Sequence, residues 1–342
     1  MKKIKIAHIH VWDQDNKGDL AIVIAVQDLL RQSFPGVLIS DFPVEVLKDF
    51  DGQKLDQLNQ ADFIIFGGGG VFYRYFLPFN PKMISGLKKP LVVFGVGYIR
   101  EVGARALSKI ERASIAALVK KARLIGVREN YTKRFLVSQG VKSEKISVIG
   151  DPAVLLEEEF PRKLKLAPGM RIGLNLNYSG WLGFGLWHDD ILRAYRETAE
   201  YFQKEFGATV YYLKHHPGED KIYPDLKIKG LKIIDLSPKE QKYVYGKLDL
   251  VVGMMLHSCV LAFGALTPEI NVAYDLRNRN FARFIGCPEL VVELADLKNG
   301  KLLKRAKEVM ARKDFYFSKF TKKKLLIKTR QEKFIGQLLK LK

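Results

Sequence analysis

The chain has 342 residues, 47% of them hydrophobic, and a formal net charge of +20 at pH 7. No apolar run reaches the roughly 18–20 residues that a membrane-spanning helix needs, and Cys259 and Cys287 lack the spacing of a disulfide framework or a zinc site. An integral membrane protein and a cysteine-rich secreted domain are therefore excluded. A single hydrophobic core usually stops growing at about 250–300 residues. Because this chain is longer, two domains are expected.

The first half alternates short strands with helices. The predicted elements are a strand Lys3–His10, a helix Leu20–Gln32, strands Asp62–Phe66 and Pro90–Phe94, a helix Glu111–Lys121, a strand Leu124–Val127, a helix Asn130–Gln139 and a strand Ile146–Ile149. The basic N-terminus leads into the first strand without a cleavage site, which is typical of a cytoplasmic protein.

Glycine segments follow two of these strands, as Gly67–Gly70 and Gly95–Gly97. We predict that both form strand-to-helix turns, in which the backbone amides of residues such as Gly68 and Gly69 can approach a phosphate or carboxylate. Their spacing matches neither the dinucleotide fingerprint nor the P-loop, so NAD and P-loop ATP chemistry are not predicted. Tight packing without a ligand is the alternative.

A domain boundary is predicted in Glu157–Gly169, where two prolines bracket a charged segment. The alternation then restarts, which indicates a second α/β domain. Its predicted elements are strand Arg171–Asn177, helix Ile191–Phe206, strands Thr209–Leu213, Leu231–Ile234 and Leu248–Val252, a helix-length segment Cys259–Pro268 and strand Ile270–Arg277. The predicted domains are residues 1–160 and 161–310, followed by a basic helical tail of residues 311–342.

The basic tail carries most of the excess charge. From Lys298 to Lys342 there are sixteen Lys or Arg and three acids, which accounts for +13 of the total of +20. Basic and apolar residues alternate there, a pattern that suits an anionic membrane surface, an acidic partner or nucleic acid. The alternative is a solvated helical face whose apolar stripe packs on the body of the protein.

His257 and Ser258 come just after the buried strand Leu248–Val252. Ligands bind at the carboxyl ends of such strands in open α/β sheets, so His257 lies where chemistry is expected. A single histidine is also commonly a hydrogen-bonded core residue. His216 follows another strand, and it either supplies a second imidazole or belongs to a polar loop.

Two further features bear on ligands. The segment Tyr178–His188 is rich in glycine and aromatic residues, which suits stacking on a sugar ring, a lid, or packing between domains. No cluster of His, Cys, Asp and Glu has metal-ligand spacing along the sequence, so no metal ion is predicted.

Taken together, these segments resemble the polysaccharide pyruvyl transferase family from about Ile6 to about Gly286. Six segments match the family pattern in order. They are Asn16-Lys17-Gly18-Asp19, Gly67–Gly70, Gly95-Val96-Gly97, Arg128-Glu129, Asp151-Pro152-Ala153 and Tyr274-Asp275-Leu276-Arg277.

Two departures from the family pattern concern cations. Met255 stands where the family has an arginine, and Arg277 stands where it usually has a lysine. The second change replaces a compact ammonium with a planar guanidinium. Arg277, Arg279 or Lys214 could compensate for the missing arginine, or the donor differs from the family's usual one.

The resemblance implies transfer of the carboxyvinyl group of phosphoenolpyruvate to two hydroxyls of a sugar, which gives a cyclic pyruvate ketal and phosphate. It also implies an α/β fold of two Rossmann-like domains facing a cleft, as in GT-B glycosyltransferases. The N-terminal domain is then expected on the acceptor side and the C-terminal domain on the donor side. Phosphoenolpyruvate is a substrate in this scheme, so no cofactor is expected.

Such a reaction needs a general acid, a base for the sugar hydroxyl and cations for a donor with about three negative charges. The resemblance makes His257 the acid/base or a phosphate contact, and Asp19 the group that deprotonates or orients a sugar hydroxyl. Arg128 and Arg277 are expected to bind carboxylate or phosphate. Further substrate contacts are expected from Asn16, Gly18, Gly68, Gly69, His216 and Ser258.

Two other functions stay open. The same architecture suits a nucleotide-sugar-dependent glycosyltransferase, because a fold does not determine its donor. The other is a binding protein without activity whose tail recognises an anionic membrane or nucleic acid, although aromatic residues do not alternate with the basic ones as a single-strand platform needs. The expected partner is a sugar or lipid-linked saccharide acceptor, and the expected location is the cytoplasm, including the inner face of the membrane.

Overall fold

The computed structural model of the chain describes residues 3–100, 104–177 and 184–341. It divides into two compact units that are each discontinuous in sequence. The first unit comprises Met1–Asp13, Ile22–Pro152 and Leu326–Lys342, and the second comprises Gln14–Ala21 and Ala153–Leu325.

The first unit is built on a parallel sheet of six strands in the order β2-β1-β3-β4-β5-β6. Its strands are β1 Lys5–His10, β2 Leu38–Pro43, β3 Phe63–Phe72, β4 Leu91–Tyr98, β5 Leu124–Val127 and β6 Ile146–Val148. Its helices are α1 Lys17–Ser33, of which the first turn belongs to the second unit, α2 Gly52–Asn59, α3 Pro81–Gly86, α4 Lys109–Lys121 and α5 Asn130–Ser138. Strands β3 and β4 are buried along their whole length, as expected of central parallel strands.

The second unit has a parallel sheet of six strands in the order β12-β11-β10-β7-β8-β9. Its strands are β7 Arg171–Asn175, β8 Thr209–Leu213, β9 Lys232–Ile234, β10 Leu250–Gly253, β11 Glu269–Ala273 and β12 Val291–Glu293. Its helices are α6 Phe184–Phe206, α7 Pro238–Tyr245, α8 Leu256–Gly264, α9 Leu276–Ile285, α10 Lys301–Met310 and the start of α11 Lys313–Leu338. The strand order reverses between β7 and β10, which is where open α/β sheets bind ligands.

The predicted α/β class with two Rossmann-like domains is confirmed. Helices α1 and α8 begin three residues earlier than predicted, whereas the predicted strand Ile270–Arg277 ends at Ala273 and is followed by a helix, α9, that was not predicted. These differences change where the candidate site residues lie. Helix α1 begins at Lys17, α8 at Leu256 and α9 at Leu276. Gly18, Asp19, His257, Ser258 and Arg277 therefore lie in first helical turns rather than in loops or at a strand end.

The prediction that the two glycine segments form strand-to-helix turns is wrong. Gly67–Gly70 lies inside β3 and Gly95–Gly97 inside β4. The backbone φ is +88° at Gly68 and +63° at Gly95, a region that side chains disfavour, and the pairing of both strands shifts register nearby. Glycine lets these strands continue through bulges instead of ending.

The C-terminal helix α11 is not a detached tail. Within the first unit, Ile327 packs on Gly150, and Phe334 packs on Gly126 and on the ring of Phe94, with 5.7 Å between ring centroids. The helix completes the core of a sheet that ended at β6, far earlier in sequence. The first unit includes a C-terminal segment for this reason, and the second unit includes Gln14–Ala21 with the start of α1, whereas the predicted ranges 1–160, 161–310 and 311–342 were continuous.

A helix that crosses a bilayer needs about 20 consecutive, mostly apolar residues. Across the three described ranges, no helix is both long enough and apolar enough to cross a bilayer.

Phe334→Ala is expected to lower the free energy of unfolding by about 3–5 kcal/mol, because Phe334 is buried and fills space against Phe94. Phe317 lies on the same helix but is 54% exposed, so Phe317→Ala is the matched control and should cost less than about 1 kcal/mol. Urea unfolding of both variants measures the difference. Equal losses would show that the C-terminal part of α11 is not part of a core.

Candidate active site

The carboxyl edge of the second sheet carries a network centred on Asn175, the last residue of β7. The Asn175 amide donates from Nδ2 to the carbonyl of Leu213 at 3.0 Å and to Glu219 Oε2 at 3.2 Å. Its Oδ1 accepts the backbone N–H of Met255 at 3.2 Å. One buried side chain at the end of β7 therefore bonds to the segments that end the two neighbouring strands, β8 and β10.

Glu219 joins the same network from the loop after β8. Its carboxylate accepts hydrogen bonds from the backbone N–H groups of His215 and His216 at 2.9 and 2.8 Å and from the Tyr212 hydroxyl at 2.6 Å. Burial raises the pKa of Glu219 to about 8, against these hydrogen bonds, which act to lower it. The loop carrying both histidines is thereby held in one conformation.

The first turn of α1 is fixed on this loop within the second unit. The backbone N–H of Lys17 donates to the carbonyl of His215 at 2.9 Å. Asn16 caps the helix, since its Oδ1 accepts from the N–H groups of Gly18 at 3.1 Å and Asp19 at 3.3 Å. The predicted residues Asn16, Gly18 and Asp19 are thus presented on one helical turn.

Gly18 is in close contact with His257. A Cβ atom at position 18 would lie 2.0 Å from His257 Nδ1 and 2.3 Å from its Cγ. No side chain can occupy that space while the imidazole stays where it is. The glycine of Asn16-Lys17-Gly18-Asp19 therefore has a packing reason, namely the approach of the imidazole ring to the backbone of α1.

His257 and Asp19 form the central pair of the site. His257 Nε2 lies 3.8 Å from Asp19 Oδ1, and the side chains are 10% and 17% exposed. This separation exceeds a hydrogen bond but suits an imidazole oriented by a carboxylate, and such contacts commonly tighten when a substrate binds. Asp19 is the more exposed of the two side chains.

Arg277 is a cation that interacts electrostatically with Asp19 of this pair. Its Nε contacts the buried carboxylate of Asp275, and one terminal nitrogen donates to the Tyr274 hydroxyl at 3.0 Å. Burial alone would lower the pKa of Arg277, but Asp275 raises it above the ordinary value, and Asp19 adds to this effect. The guanidinium is therefore charged and held in a fixed orientation.

The other cations considered as replacements for the missing arginine are already in ion pairs. Lys214 Nζ lies 2.7 Å from Asp220 and 3.1 Å from Asp235. Arg279 forms a two-pronged contact with Glu293 at 2.8 and 2.6 Å. Met255 itself carries no charge and is buried, with 6% of its surface exposed.

Two predicted substrate contacts have local structural partners. The Ser258 hydroxyl is fully buried and donates to the carbonyl of Met255 at 2.7 Å, which stabilises the start of α8. His216 Nδ1 accepts the backbone N–H of Gly218 at 2.9 Å. His216 is still half-buried, so its ring can also contact a ligand.

The remaining predicted residues belong to the first unit. Arg128 is 5% exposed, lies 3.6 Å from Asp151 and packs on Gly97, where a Cβ would be 2.2 Å from Arg128 Nε. Gly68 faces Ile22 of α1 with no room for a side chain. Gly69 lies in the same irregular part of β3, with φ +83°.

Sequence reasoning did not select Asn175 or Glu219. A polar residue ending an apolar strand is a usable signal for Asn175, whereas Glu219 sits among other charged residues and has no distinguishing neighbour. Of the predicted aromatic segment, residues 178–183 lie outside the described ranges, and Trp187 and His188 lie on α6.

Comparisons with known proteins agree with this organisation. A family model described as polysaccharide pyruvyl transferase matches residues 16–275. UDP-GlcNAc 2-epimerase from Neisseria meningitidis, solved with UDP-GlcNAc, is 13% identical, with 98% of this chain and 100% of that chain covered and a TM-score of 0.63. HepE of Anabaena, solved with UDP and glucose, is 12% identical, with the same coverage and a TM-score of 0.58. These likenesses show the fold, which is the predicted GT-B type.

His215 anchors α1 and makes stability depend on pH. Burial, and then the nearby Lys17, lower its pKa from the ordinary 6.5 to about 3. Between these values the unfolded chain binds a proton that the folded chain does not, so acidification from pH 6.5 to 3 lowers the free energy of unfolding, by up to about 1.4 kcal/mol per pH unit. In His215→Phe this proton is no longer taken up on unfolding, so the slope of the free energy of unfolding against pH should fall by up to about 1.4 kcal/mol per pH unit.

The measurement is urea unfolding at several pH values in this interval. Tyr245→Phe is the matched control, because it removes the 2.7 Å hydrogen bond to His215 but keeps the titratable ring. It should lower stability by about 1 kcal/mol at every pH and leave the slope unchanged. A slope that is the same in His215→Phe and in the original chain would contradict the explanation.

Proposed function

Because the chain belongs to the polysaccharide pyruvyl transferase family, we propose that it transfers the carboxyvinyl group of phosphoenolpyruvate to two hydroxyls of a sugar. The product is a pyruvate ketal on a cell-surface polysaccharide or its precursor. The observation that carries the proposal is the His257–Asp19 pair beside Arg277, on the carboxyl edge of a Rossmann-like sheet. Phosphoenolpyruvate is consumed as a substrate, so no cofactor takes part.

The reaction has two additions to the same carbon. Protonation of the methylene carbon makes the neighbouring carbon cationic, and a sugar hydroxyl oxygen bonds to that carbon and loses its proton. The carbon–oxygen bond to phosphate then breaks, and the second hydroxyl adds and loses its proton to close the ring. One phosphate is released for each ketal formed.

The residues divide these tasks by chemistry. His257 exchanges protons or contacts the phosphate, and Asp19 orients the imidazole or accepts the proton of a sugar hydroxyl. Arg277 binds the carboxylate or phosphate of the donor, assisted by the N-termini of α8 and α9 at the same sheet edge. The donor side is thus assigned to the second unit.

The acceptor side is assigned to the first unit. Arg128, also in the first unit, keeps its predicted role of binding carboxylate or phosphate. Gly68 and Gly69 are the other predicted substrate contacts of the first unit, and Asn16, Gly18, His216 and Ser258 are those of the second. We further propose that the acceptor is a sugar or a lipid-linked saccharide. We also propose that the enzyme works in the cytoplasm, at the inner face of the membrane. Leu325 and Leu326 support this location, since both are exposed between lysines on α11, at 63% and 42%.

A nucleotide-sugar-dependent glycosyl transfer is the second candidate. Met255 supplies no charge where the family has an arginine, and Lys214 and Arg279 are held by acids. The solved structures of the same fold include complexes with UDP and UDP-GlcNAc. Thermal unfolding separates the two donors: stabilisation by UDP but not by phosphoenolpyruvate would favour this candidate.

The test of the proposal is phosphate release from phosphoenolpyruvate with a panel of sugar acceptors. Release is expected to depend on the acceptor, and His257→Ala should lower kcat by about 10²–10⁴-fold because it removes the proton-transferring group. Asp28 pairs with Arg31 on α1 and has no role in the proposed reaction, so Asp28→Asn is the control and should keep full activity. No release with any acceptor, and no stabilisation by phosphoenolpyruvate, would overturn the proposal.

Gly18→Ala tests the geometry of the pair without removing a functional group. The added methyl must push the His257 ring away, and a displacement of about 1 Å can cost roughly 10²-fold in kcat. Gly52 is the matched control, because a Cβ there meets nothing within 4 Å, so Gly52→Ala should leave activity intact. The same phosphate assay compares them, and equal activities would mean that Gly18 does not position His257.

A further inference from the structure

A second group of ligand-type side chains lies in the first unit, on the neighbouring strands β1 and β2. His8 and His10 point to the same face of β1, because they are two residues apart on a strand. The parallel pairing of β1 with β2 places Asp41 directly beside His8. His10 Nε2 lies 3.1 Å and His8 Nδ1 lies 4.0 Å from Asp41 Oδ1, and the three ligand atoms all lie within 4.8 Å of one another.

Backbone carbonyls determine which nitrogen of each ring faces this cluster. His8 Nε2 is 2.9 Å from the carbonyl of Gly67, and His10 Nδ1 is 2.8 Å from the carbonyl of Val11. A carbonyl only accepts, so each of these nitrogens carries a hydrogen. In the neutral rings, His8 Nδ1 and His10 Nε2 therefore direct lone pairs toward Asp41.

Hydrogen bonds within the cluster leave one ring nitrogen, His8 Nδ1, without a partner. His8 is fully buried, and its Nδ1 has no hydrogen-bond partner, which is costly for a polar atom. A proton on His10 Nε2 would satisfy the contact with Asp41 but would leave His8 Nδ1 as it is. A cation bound by all three atoms satisfies both rings and the carboxylate at once.

The donor set identifies the class of cation. Two imidazole nitrogens and one carboxylate oxygen suit Zn²⁺ and related first-row ions. Ligating histidines usually donate their other ring N–H to a backbone carbonyl, as both do here. The Gln27 amide also donates to Asp41 Oδ1 at 2.6 Å and helps to orient the carboxylate.

We infer that His8, His10 and Asp41 bind a divalent first-row transition ion. Bonds of about 2.1 Å place ligand atoms roughly 3.0–3.4 Å apart, so binding draws His8 Nδ1 and Asp41 closer together than in the ion-free arrangement. Asp41 is 35% exposed, which gives the ion access from solvent. A tetrahedral ion would keep one position for water or for an oxygen of a bound ligand.

The sequence spacing did not predict this site. His8 and His10 form a two-residue pair on a strand, but Asp41 is 31 residues beyond His10, and strand pairing alone brings it to them. The site is independent of the reaction proposed above, because none of its residues is assigned to phosphoenolpyruvate or to the sugar.

Calorimetric titration of the chelator-treated full-length chain with Zn²⁺ tests the inference. We expect one saturable Zn²⁺ per chain and an increase in Tm. Asp41→Asn, at a partly exposed position, and His10→Gln should each weaken Zn²⁺ binding at least tenfold. Circular dichroism and Tm in the absence of metal establish that each variant is folded.

His188 provides the matched control. Its Nδ1 lies 3.1 Å from Asp189 Oδ1, the same separation as in the His10–Asp41 contact, but no second histidine joins that pair among the residues the structure describes. His188→Ala should leave Zn²⁺ affinity unchanged. No saturable binding by the original chain, unchanged affinity in Asp41→Asn and His10→Gln, or loss of binding in His188→Ala would each overturn the inference.

Discussion

The buried amide of Asn175 is the interaction on which the geometry of the second unit depends. It stands at the end of β7, where the strand order reverses, and it bonds to the segments that follow β8 and β10. Through Glu219 it holds the loop of His215, whose carbonyl receives the first N–H of α1. The Met255 N–H leads into α8 and so to His257. The two halves of the His257–Asp19 pair are thus positioned by one amide side chain.

The family glycines act mainly by leaving space. Gly18 admits the imidazole of His257 to the backbone of α1, and Gly97 admits the guanidinium of Arg128 to β4. Inside β3 and β4, glycine also permits the positive φ angles that bulges require. These glycines were expected to bind phosphate through their backbone amides. In the structure they allow the side chains of candidate site residues to pack closely against the backbone.

Each unit holds one of the predicted arginines in a buried ion pair. Arg128 lies beside Asp151, and Arg277 beside Asp275, with all four side chains at most 16% exposed. Removing one partner from such a pair is strongly destabilising because it leaves an uncompensated buried charge, so each carboxylate also holds its arginine in one orientation. Each of the two guanidinium groups is thus an oriented cation rather than a mobile one. Met255, which stands where the family has an arginine, adds no charge to the second unit.

Local sequence was sufficient for the central strands and the longer helices, but it did not predict β2, β12 or the short helices α2, α3 and α7. The apolar runs of β3, β4, β8 and β10 were evident from residue type alone, because strands buried on both faces need uninterrupted apolar side chains. The order of motifs also identified His257 and Asp19. The starts of α1 and α8 were misplaced by three residues, and α9 was not predicted. The caps of α1 and α9 are single side chains, Asn16 and Asp275, which accept hydrogen bonds from the first backbone N–H groups of each helix.

What the tertiary structure decided is the set of contacts between distant residues. The pairing of β1 with β2 joined Asp41 to His8 and His10, and the return of α11 placed Phe334 against Phe94. Asn175 and Glu219 became central for the same reason. Periodicity determines which face of an element is buried, but strand register and helix packing determine what that face meets, and those depend on the whole chain.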